Sequence, residues 1–431
     1  MKLTIYRGTK EIGGTLIELK TNSTRLLIDA GYPLFLNGNP IDDAVAKLPS
    51  DELLKLGVLP RIAGIYAWDE PAFDAVVISH AHIDHYGLLK YVHPSIPVYL
   101  SGGTWKIIEL SQTFQIIDGF PINARTFTMY KTFSVGDVRI KPYLMDHSAF
   151  DAAAFEFSTE GKTLLYSGDF RGHGRKAVCL DRFIGNAPKQ ADVLLTEGTM
   201  LGRADEAVLT ENEVEQAIVE AATGIDAPIL FHCSSQNIDR LVSFYRAALR
   251  LGKLFVVDVY TANVLYELRS LGNHLPYPSG DYPNMRVFFP YRLTRKIFEH
   301  IGEEYARRFS AFHISKEELM AKCKTVLMPA RPSMWRDIEK CELRDGLFLY
   351  SMWNGYRDTE YQQKFEASLL GAGFACKAVH TSGHASVPDI QRLMTGLNPK
   401  RIIPIHTMVP NAFMDFSDKV MLQEDGNEFE V

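Results

Sequence analysis

The sequence Ser-His-Ala-His-Ile-Asp-His at residues 79–85 carries four side chains that can ligate a metal within six positions. An apolar segment at residues 75–79 leads into it and is typical of a short buried strand. Because side chains two residues apart in an extended segment point the same way, His80 and His82 can bind the same metal ion. Asp84 and His85 follow on the next turn and can face a second ion. Neutral imidazole and carboxylate suit zinc, so the stretch predicts a metal centre at the end of a strand.

Four more aspartate and histidine residues stand where other apolar segments end. They are Asp29, His147, Asp169 and His406. Each precedes a turn, and functional side chains are commonly presented by loops at the rim of a sheet. A single aspartate in such a position caps a turn more often than it binds a metal. The joint pattern predicts that these residues meet residues 80–85 on one rim.

The composition sets limits on the class of protein. A chain of 431 residues allows two to four domains. With 46% hydrophobic and 23% charged residues, it is not a disordered chain, a collagen-like fibre or a coiled-coil rod. The net charge of −6 excludes a protein that coats nucleic acid through bulk positive charge. Any nucleic-acid role must therefore rest on a local patch.

The cysteines and the N-terminus bear on the cellular compartment. The chain has five cysteines and no C-x-x-C pair, so the sequence suggests neither a disulfide framework nor a cysteine zinc site. The first ten residues lack the apolar segment of a signal peptide. No stretch approaches the ~18 apolar residues of a spanning helix. We therefore expect a cytoplasmic protein with no membrane association.

The rhythm of the predicted elements changes near residue 200. Before it, short strands with helices between some of them predict a layered α/β sandwich. After it, helices at residues 211–222 and 238–251 alternate with strands at residues 229–232 and 254–258. This alternation predicts a doubly wound parallel unit.

Three later segments are expected to be simple. Turn residues at 276–290 predict a loop, and residues 293–309 predict one helix. The last eight residues are acidic and are expected to fray.

The residues described so far resemble the metallo-β-lactamase superfamily, whose H-x-H-x-D-H motif matches residues 80–85. The resemblance implies an αβ/βα sandwich with two zinc ions at the rim between two sheets. The residues that it implies for one ion are His80, His82, His147 and Asp169. Those that it implies for the other ion are Asp84, His85, Asp169 and His406. Asp169 would bridge the ions together with a water or hydroxide, and Asp29 would orient the ligands from behind.

Further features resemble the β-CASP nuclease family, including ribonuclease J and the cleavage-and-polyadenylation endonucleases. Its acid matches Glu197 in L-L-T-E-G-T, and its two later histidines match His384 in H-T-S-G-H-A and His406 in I-I-P-I-H. The resemblance implies an α/β β-CASP cap domain inserted into the lactamase fold. The expected division is a first lactamase part at 1–200, the cap at 201–360 and a second lactamase part at 361–431.

The resemblance implies a zinc-dependent ribonuclease with Asp84, Glu197 and His384 as catalytic residues. A metal-activated hydroxide would attack the phosphorus, and His384 would protonate the leaving 3′-oxygen while Glu197 supports it. The products would carry a 5′-phosphate and a 3′-hydroxyl. A histidine at position 406 accompanies RNA-processing members of the family, so RNA is favoured over DNA.

Substrate phosphates would be held by loop residues. Ser382 and Gly383 precede a predicted helix and offer backbone N–H groups. Asn237 and Arg240 resemble a phosphate-binding stretch of ribonuclease J, although a plain polar helix cap fits them equally well. The cofactors implied are two Zn2+ ions per chain, with Mn2+ also suited to the ligands. The implied partner is single-stranded RNA, and a homodimer is compatible with the resemblance.

Three other functions remain open at the level of sequence. A DNA nuclease of the same family would use the same residues. A metal-dependent hydrolase of a small ester or lactone would use the insertion as a lid, but the Glu197 and His384 pair argues against it. An inactive scaffold subunit would have lost ligands, and here every ligand is present.

Overall fold

The computed structural model describes residues 1–36, 38–203, 208–272 and 274–431, which form three large sheets with helices around them. The strands before residue 200 are β1 Lys2–Arg7, β2 Leu16–Lys20, β3 Arg25–Ile28, β4 Phe35–Leu36, β5 Asn39–Pro40, β6 Ala75–Val77, β7 Pro97–Ser101, β8 Asn123–Phe127, β9 Phe133–Val135, β10 Val138–Leu144, β11 Ala153–Thr159, β12 Lys162–Tyr166 and β13 Val193–Glu197. The helices of this part are α1 Asp43–Ala46, α2 Ser50–Leu56, α3 Ile83–Tyr86, α4 Gly102–Thr113 and α5 Val178–Asn186.

The rest of the chain adds a parallel sheet and returns to the first part. Its strands are β14 Ile229–His232, β15 Leu254–Asp258, β16 Met285–Phe288, β17 Val326–Pro329, β18 Leu347–Tyr350, β19 Ala375–Ala378, β20 Ile402–Ile405 and β21 Glu428–Glu430. Its α-helices are α6 Glu211–Ala222, α7 Ile238–Arg250, α8 Val259–Leu268, α9 Tyr291–Lys296, α10 Glu304–Arg307, α11 Lys316–Ala321, α12 Trp335–Glu339, α13 Glu360–Gly371 and α14 Val387–Leu397.

Two sheets face each other to form the predicted sandwich. The first has the order β21-β1-β2-β3-β6-β7-β8, and the second has the order β20-β13-β12-β11-β10-β9. Apolar side chains from both sheets, such as Ile17 and Phe155, share one buried cluster. Helices α5 and α14 cover the outer face of the second sheet through residues such as Phe183 and Leu393. The αβ/βα sandwich inferred from the sequence is confirmed.

The third sheet belongs to the predicted cap, and every strand pair in it is parallel. Its order is β16-β15-β17-β14-β18-β19. Parallel sheets are buried on both faces, which explains strands such as Leu347–Tyr350 that are apolar throughout. The doubly wound unit predicted after residue 200 is therefore present.

The third sheet also extends past the expected cap boundary at residue 360. Strand β19 pairs in parallel with β18, and Phe365 and Leu369 of α13 pack into the core of the same sheet. Residues 361–378, expected to lie in the second lactamase part, are therefore attached to the cap sheet. The sequence marks no break there because α13 and β19 simply continue the alternation of helix and strand.

Three local expectations are corrected by the structure. The expected loop at 276–290 contains β16, whose apolar residues were hidden among turn-forming neighbours. The expected helix at 293–309 is broken, because Gly302 has a φ of +145° between a π-helical turn and α10. The acidic tail does not fray: β21 pairs with β1, and Glu428 accepts a hydrogen bond from Lys2 at 2.6 Å.

In the part of the chain that the structure describes, no helix has the length and apolar character needed to cross a membrane.

Candidate metal centre and active site

The site lies where the carboxyl ends of parallel strands from both facing sheets meet. In the first sheet, β3 leads into Asp29, and β6 runs in parallel beside it toward His80. In the second sheet, β12, β13 and β20 are mutually parallel, and they lead to Asp169, Glu197 and His406. Parallel pairing brings these ends to one rim, as the sequence pattern predicted.

Three histidines form one half of the cluster. The ring nitrogens of His80, His82 and His147 lie within 4.8 Å of one another. His147 Nε2 and His82 Nδ1 are 3.1 Å apart. His147 comes from the connection between β10 and β11, so the group joins both sheets.

Asp84, His85 and His406 form the other half. Their ligand atoms also lie within 4.8 Å of one another. His406 Nε2 is 3.2 Å from Asp84 Oδ2, and its Nδ1 is hydrogen-bonded to Thr199 Oγ1 at 2.8 Å. His406 has a φ of +50°, a left-handed conformation that is uncommon for a residue with a side chain.

The Asp169 carboxylate lies between the two halves. Its Oδ2 is 3.9 Å from His80 Nε2 and 3.9 Å from His147 Nε2 on one side. On the other side it is 3.2 Å from His85 Nε2 and 3.8 Å from His406 Nε2. This central position fits the bridging role that the resemblance implied.

The donor set is suited to metal binding. His80 Nε2, His85 Nε2 and Asp169 Oδ2 are buried polar atoms that have no hydrogen-bond partner among the described residues. Native proteins rarely leave such atoms unsatisfied, because each costs about 1–3 kcal/mol. All three point into the same cluster, and imidazole with carboxylate is a set that suits zinc.

Asp29 stands behind this cluster. Its Oδ2 contacts His85 Nδ1 at 2.8 Å and accepts hydrogen bonds from Ser79 Oγ and Tyr166. Its Oδ1 accepts from the Ser79 N–H at 2.7 Å. The carboxylate is fully buried and therefore fixes the ring of His85 with Nε2 facing inward.

Burial controls the charge of the histidines on the first side. Burial and neighbouring imidazoles hold the pKa of His80 well below its ordinary value. Burial likewise lowers the pKa of His147, and that of His82 falls to about 4. These rings are therefore neutral at pH 7, which is the form that binds a metal.

Glu197 and His384 form a pair beside the cluster. Glu197 Oε2 lies 3.1 Å from His384 Nδ1, and Oε1 accepts a hydrogen bond from the Phe170 N–H at 2.9 Å. His384 Nδ1 is also 3.5 Å from Asp169 Oδ2. Burial lowers the pKa of His384, but the Glu197 carboxylate outweighs it and raises the pKa to about 9. The structure thus brings together the two residues that the sequence assigned to leaving-group chemistry.

The loop before His384 differs from the expected helix N-terminus. Helix α14 begins only at Val387, where the Ser386 side chain caps it. The carbonyl of Ser382 accepts hydrogen bonds from Arg171 and His173, and that of Gly383 accepts one from His147 Nδ1. Since a trans peptide directs its C=O and N–H in opposite directions, the Gly383 N–H points away from these partners. The His384 N–H donates a hydrogen bond to Ser382 Oγ at 3.1 Å.

Arg240 is not available to a phosphate, which corrects the expectation from the sequence. Its side chain is 0% exposed, and its guanidinium donates to Glu211, Ser351 and the Thr381 carbonyl. Asn237 caps helix α7 by accepting from the Arg240 N–H, which is the alternative that the sequence left open.

The sequence did not predict the structural roles of several residues that hold the site. Arg171, two residues after Asp169, is fully buried and reaches the His384 loop. Thr199, two residues after Glu197, orients His406. Their proximity to predicted site residues was a usable signal, but their partners lie 211 and 207 residues away in the chain.

The sequence also did not predict an exposed aromatic pair. Trp353 and Tyr356 have ring centroids 5.5 Å apart, and the Arg203 guanidinium lies 5.5 Å from the Trp353 ring centroid. The residues are 39% and 53% exposed.

Two family models match this chain. Residues 24–232 match a model described as "Beta-lactamase superfamily domain". Residues 375–429 match one described as "Zn-dependent metallo-hydrolase RNA specificity domain". The first match contains every candidate ligand except His406, which falls in the second.

The chain is also similar to curated ribonucleases. A ribonuclease J of Sinorhizobium meliloti is 30% identical over 81% of this chain and 60% of its own length. A ribonuclease J of Mycoplasma genitalium is 21% identical over 94% of this chain and 67% of its own length. An RNase J-like protein of Methanocaldococcus jannaschii is 24% identical over 60% of this chain. The chain spans 58% of the length of that archaeal protein.

A solved structure supports the fold over the full length. It is a protein of unknown function from Enterococcus faecalis with a TM-score of 0.77 and 20% sequence identity. The match covers 99% of both chains. Together, the domain models and the relatives show a metallo-β-lactamase domain joined to an RNA-specificity domain in a chain similar to ribonuclease J, which is consistent with the β-CASP family.

Proposed function

We propose that this chain is a metal-dependent ribonuclease that hydrolyses phosphodiester bonds in single-stranded RNA. The observation that carries the proposal is the Glu197–His384 pair next to Asp169, the carboxylate shared by both ligand groups. A proton donor beside a two-ion ligand set matches the needs of hydrolysis with a poor alkoxide leaving group.

His80, His82, His147 and Asp169 would hold one ion, and the Asp84 group would hold the other with Asp169 shared. Two divalent ions, Zn2+ or Mn2+, would lower the pKa of a water molecule and withdraw charge from the phosphate oxygens. The unpartnered buried atoms of His80, His85 and Asp169 support this use of the site.

The residues of the chain would divide the remaining work. Asp84 would orient the attacking water by accepting a hydrogen bond from it. The water would give one proton to solvent, its oxygen would form a bond to phosphorus, and the bond from phosphorus to O3′ would break. His384, held at Nδ1 by Glu197, would give its Nε2 proton to O3′ and regain a proton from solvent. The products are a 5′-phosphate and a 3′-hydroxyl.

RNA is the substrate that the comparisons favour. The curated relatives are named as ribonucleases, and one matching model is described by RNA specificity. The aromatic pair Trp353 and Tyr356 with Arg203 suits an unpaired base, because base–aromatic stacking contributes about 1–3 kcal/mol per base. The backbone N–H groups of Ser382 and Gly383 remain our candidates for phosphate contact.

The proposal is tested by incubating the zinc-loaded protein with matched 5′-labelled single-stranded RNA and DNA. A His384→Ala variant with unchanged metal content is the control. We expect cleavage of RNA, lowered about 10²- to 10⁴-fold in the variant because it lacks the proton donor.

Other outcomes would contradict parts of the proposal. Cleavage of DNA alone would overturn the substrate assignment. Undiminished cleavage by the His384→Ala variant would overturn the proton donor. No cleavage of either polymer by protein with two bound metals would favour a hydrolase of small esters. Cytoplasmic location and a homodimer stay predictions.

A further inference from the structure

The loop that carries His384 is held by its carbonyl oxygens. Arg240 donates to the Thr381 carbonyl at 3.2 Å, and Arg171 donates to the Ser382 carbonyl at 3.2 Å. The backbone just before His384 is thus fixed by two guanidinium groups with no exposed surface.

The two arginines come from different parts of the molecule. Arg171 follows β12 of the lactamase sandwich, whereas Arg240 lies in α7 of the cap. Both donate to the same oxygen, Oε1 of Glu211, at 3.2 and 3.0 Å. Glu211 begins α6 of the cap and is 1% exposed. One buried carboxylate therefore joins the arginine of the sandwich to the arginine of the cap.

Further contacts leave little freedom in this arrangement. Arg171 also donates to Asp146 at 3.1 Å and to Asp239 at 3.0 Å. Arg240 also donates to the carbonyl of Ser351 at 3.1 Å. A buried guanidinium offers its donors in a rigid planar fork, so its acceptors cannot move independently of one another.

We propose that Glu211, Arg240 and Arg171 are positioning residues that couple the cap to the proton donor His384. The inference rests on the proposed function, since it assigns them to the placement of that donor. When the cap is held correctly against the sandwich, the Glu211–Arg240 unit sets the Thr381–Ser382 backbone and hence the reach of His384. A proton donor displaced by about 1 Å can lower the rate about 100-fold.

The test compares two RNA substrates that differ in the leaving atom. One is an all-oxygen single-stranded oligonucleotide, and the other has a single bridging 3′-sulfur at the scissile position. Departure of the alkoxide needs a proton, whereas the more stable thiolate leaves without one. Loss of proton donation therefore slows the oxygen substrate and spares the sulfur substrate.

The variants are Arg240→Gln and the double variant Arg240→Gln with Glu211→Gln, which avoids an uncompensated buried charge. We expect kcat for the oxygen substrate to fall about 100-fold and kcat for the sulfur substrate to change far less. Arg240→Lys keeps the positive charge but lacks the planar set of guanidinium donors. It allows the oxygen and sulfur substrates to be compared if the glutamine variants do not fold.

A matched control is Lys296→Gln. Lys296 of α9 also joins the cap to the sandwich, by donating to the carbonyls of Phe114 at 2.9 Å and Gln115 at 3.3 Å. Among the described residues it makes no hydrogen bond to Glu211 or to the His384 loop, so we expect equal kcat values for wild type and variant on each substrate. Metal content and thermal unfolding are measured for every variant.

The outcomes separate this inference from the proposed function. His384→Ala must show the oxygen-specific loss; if it does not, the proton donor itself is wrong. If it does, an equal loss on both substrates in the Arg240 variants, or no loss, overturns the coupling. An oxygen-specific loss in those variants, absent in Lys296→Gln, supports it.

Discussion

Asp29 shows how one buried residue can set the geometry of a metal site at the scale of a single side chain. Asp29 is not itself a candidate metal ligand. Its carboxylate contacts His85 Nδ1 at 2.8 Å and accepts hydrogen bonds from the N–H and Oγ of Ser79. Its φ of +55° turns the chain at the end of β3 so that the carboxylate faces the cluster. The orientation of His85 therefore depends on a residue 56 positions earlier.

An Asp29→Asn substitution should weaken metal binding. An amide has one acceptor oxygen and cannot support the His85 ring as a carboxylate does. We expect affinity for zinc to fall about 10- to 100-fold, the range typical of such supporting contacts. Competition with a chromophoric chelator measures this change.

Asp137→Asn is the control for that substitution. Asp137 accepts hydrogen bonds from the hydroxyls of Thr21, Ser23 and Thr159, and among the described residues none of its hydrogen-bond partners is a candidate metal ligand. Its variant should bind zinc as the wild type does. Equal losses in the two variants would show that affinity follows stability and not the support of His85.

Trp353→Ala should weaken RNA binding without changing the metal site. Loss of the exposed ring removes the stacking partner of a base, worth about 1–3 kcal/mol, or roughly a 5- to 150-fold rise in KM. Trp68→Ala is the control, because Trp68 is also exposed and stacked, with its ring centroid 4.7 Å from that of Tyr66. A fall in kcat with constant KM would argue against a binding role.

The candidate ligands could be predicted from the sequence because their signal is local. Residue type and spacing near a strand end suffice for His80, His82 and Asp84. The role of Arg240 could not be predicted in this way, because it depends on Glu211, which lies 29 residues away in the chain. A polar residue at a helix start has the same sequence signal whether it faces a ligand or a buried partner.

At the scale of elements, the turn between β12 and Asp169 limits which residues can present the central carboxylate. Gly168 has a φ of +55°, a conformation that favours glycine. A Cβ added there would lie 2.8 Å from the carbonyl oxygen of Ala153 on β11. The turn therefore has no space for a side chain.

Gly168→Ala should displace Asp169 and lower both metal affinity and RNA cleavage. Gly161→Ala is the matched control, because Gly161 also has a positive φ, +71°, but has open space around the added Cβ. We expect the control to cost only about 1 kcal/mol of stability and to keep its activity. Metal titration and thermal unfolding, measured for both variants, separate a loss of metal affinity from a loss of stability. Similar activity in Gly168→Ala and Gly161→Ala would show that the turn does not position Asp169.

Elements were predictable where apolar periodicity was uninterrupted. The sequence indicated β14, β15 and α6 with bounds close to those observed. Strand β21 was missed because its acidic composition argues against a strand, whereas in the fold it pairs with β1 and Lys2 lies beside Glu428. Long-range pairing of this kind leaves no trace in a local pattern.

At the scale of the whole molecule, buried ion pairs join the cap to the sandwich and make stability depend on pH. Burial raises the pKa of Glu211, but Arg240 and Arg171 outweigh it and lower the pKa from 4.5 to about 2. A carboxyl with a depressed pKa in the folded state stabilises above its unfolded pKa. That contribution is lost as the pH falls through the folded value.

We therefore expect the free energy of unfolding to fall between about pH 4.5 and pH 2, by on the order of 3 kcal/mol from Glu211. Urea unfolding at several pH values measures this change. The Glu211→Gln variant should lose that part of the pH dependence. An unchanged acid profile in the variant would show that Glu211 does not carry it.

The overall architecture was the most predictable level, because motif order and helix–strand alternation determine it. The C-terminal boundary of the cap was less predictable, because α13 and β19 join the third sheet beyond residue 360. Contacts between cap and sandwich, such as Arg171 with Glu211, depend on the assembled fold and have no local sequence signal.

The central claim, hydrolysis of RNA with protonation of O3′, is tested most directly by analysing the products formed in ¹⁸O-labelled water. The zinc-loaded protein is given a single-stranded RNA of defined sequence, and the fragments are weighed by mass spectrometry. We predict one ¹⁸O atom on a new 5′-phosphate and a plain 3′-hydroxyl on the other fragment. A 2′,3′-cyclic phosphate or a 3′-phosphate among the products would contradict the account.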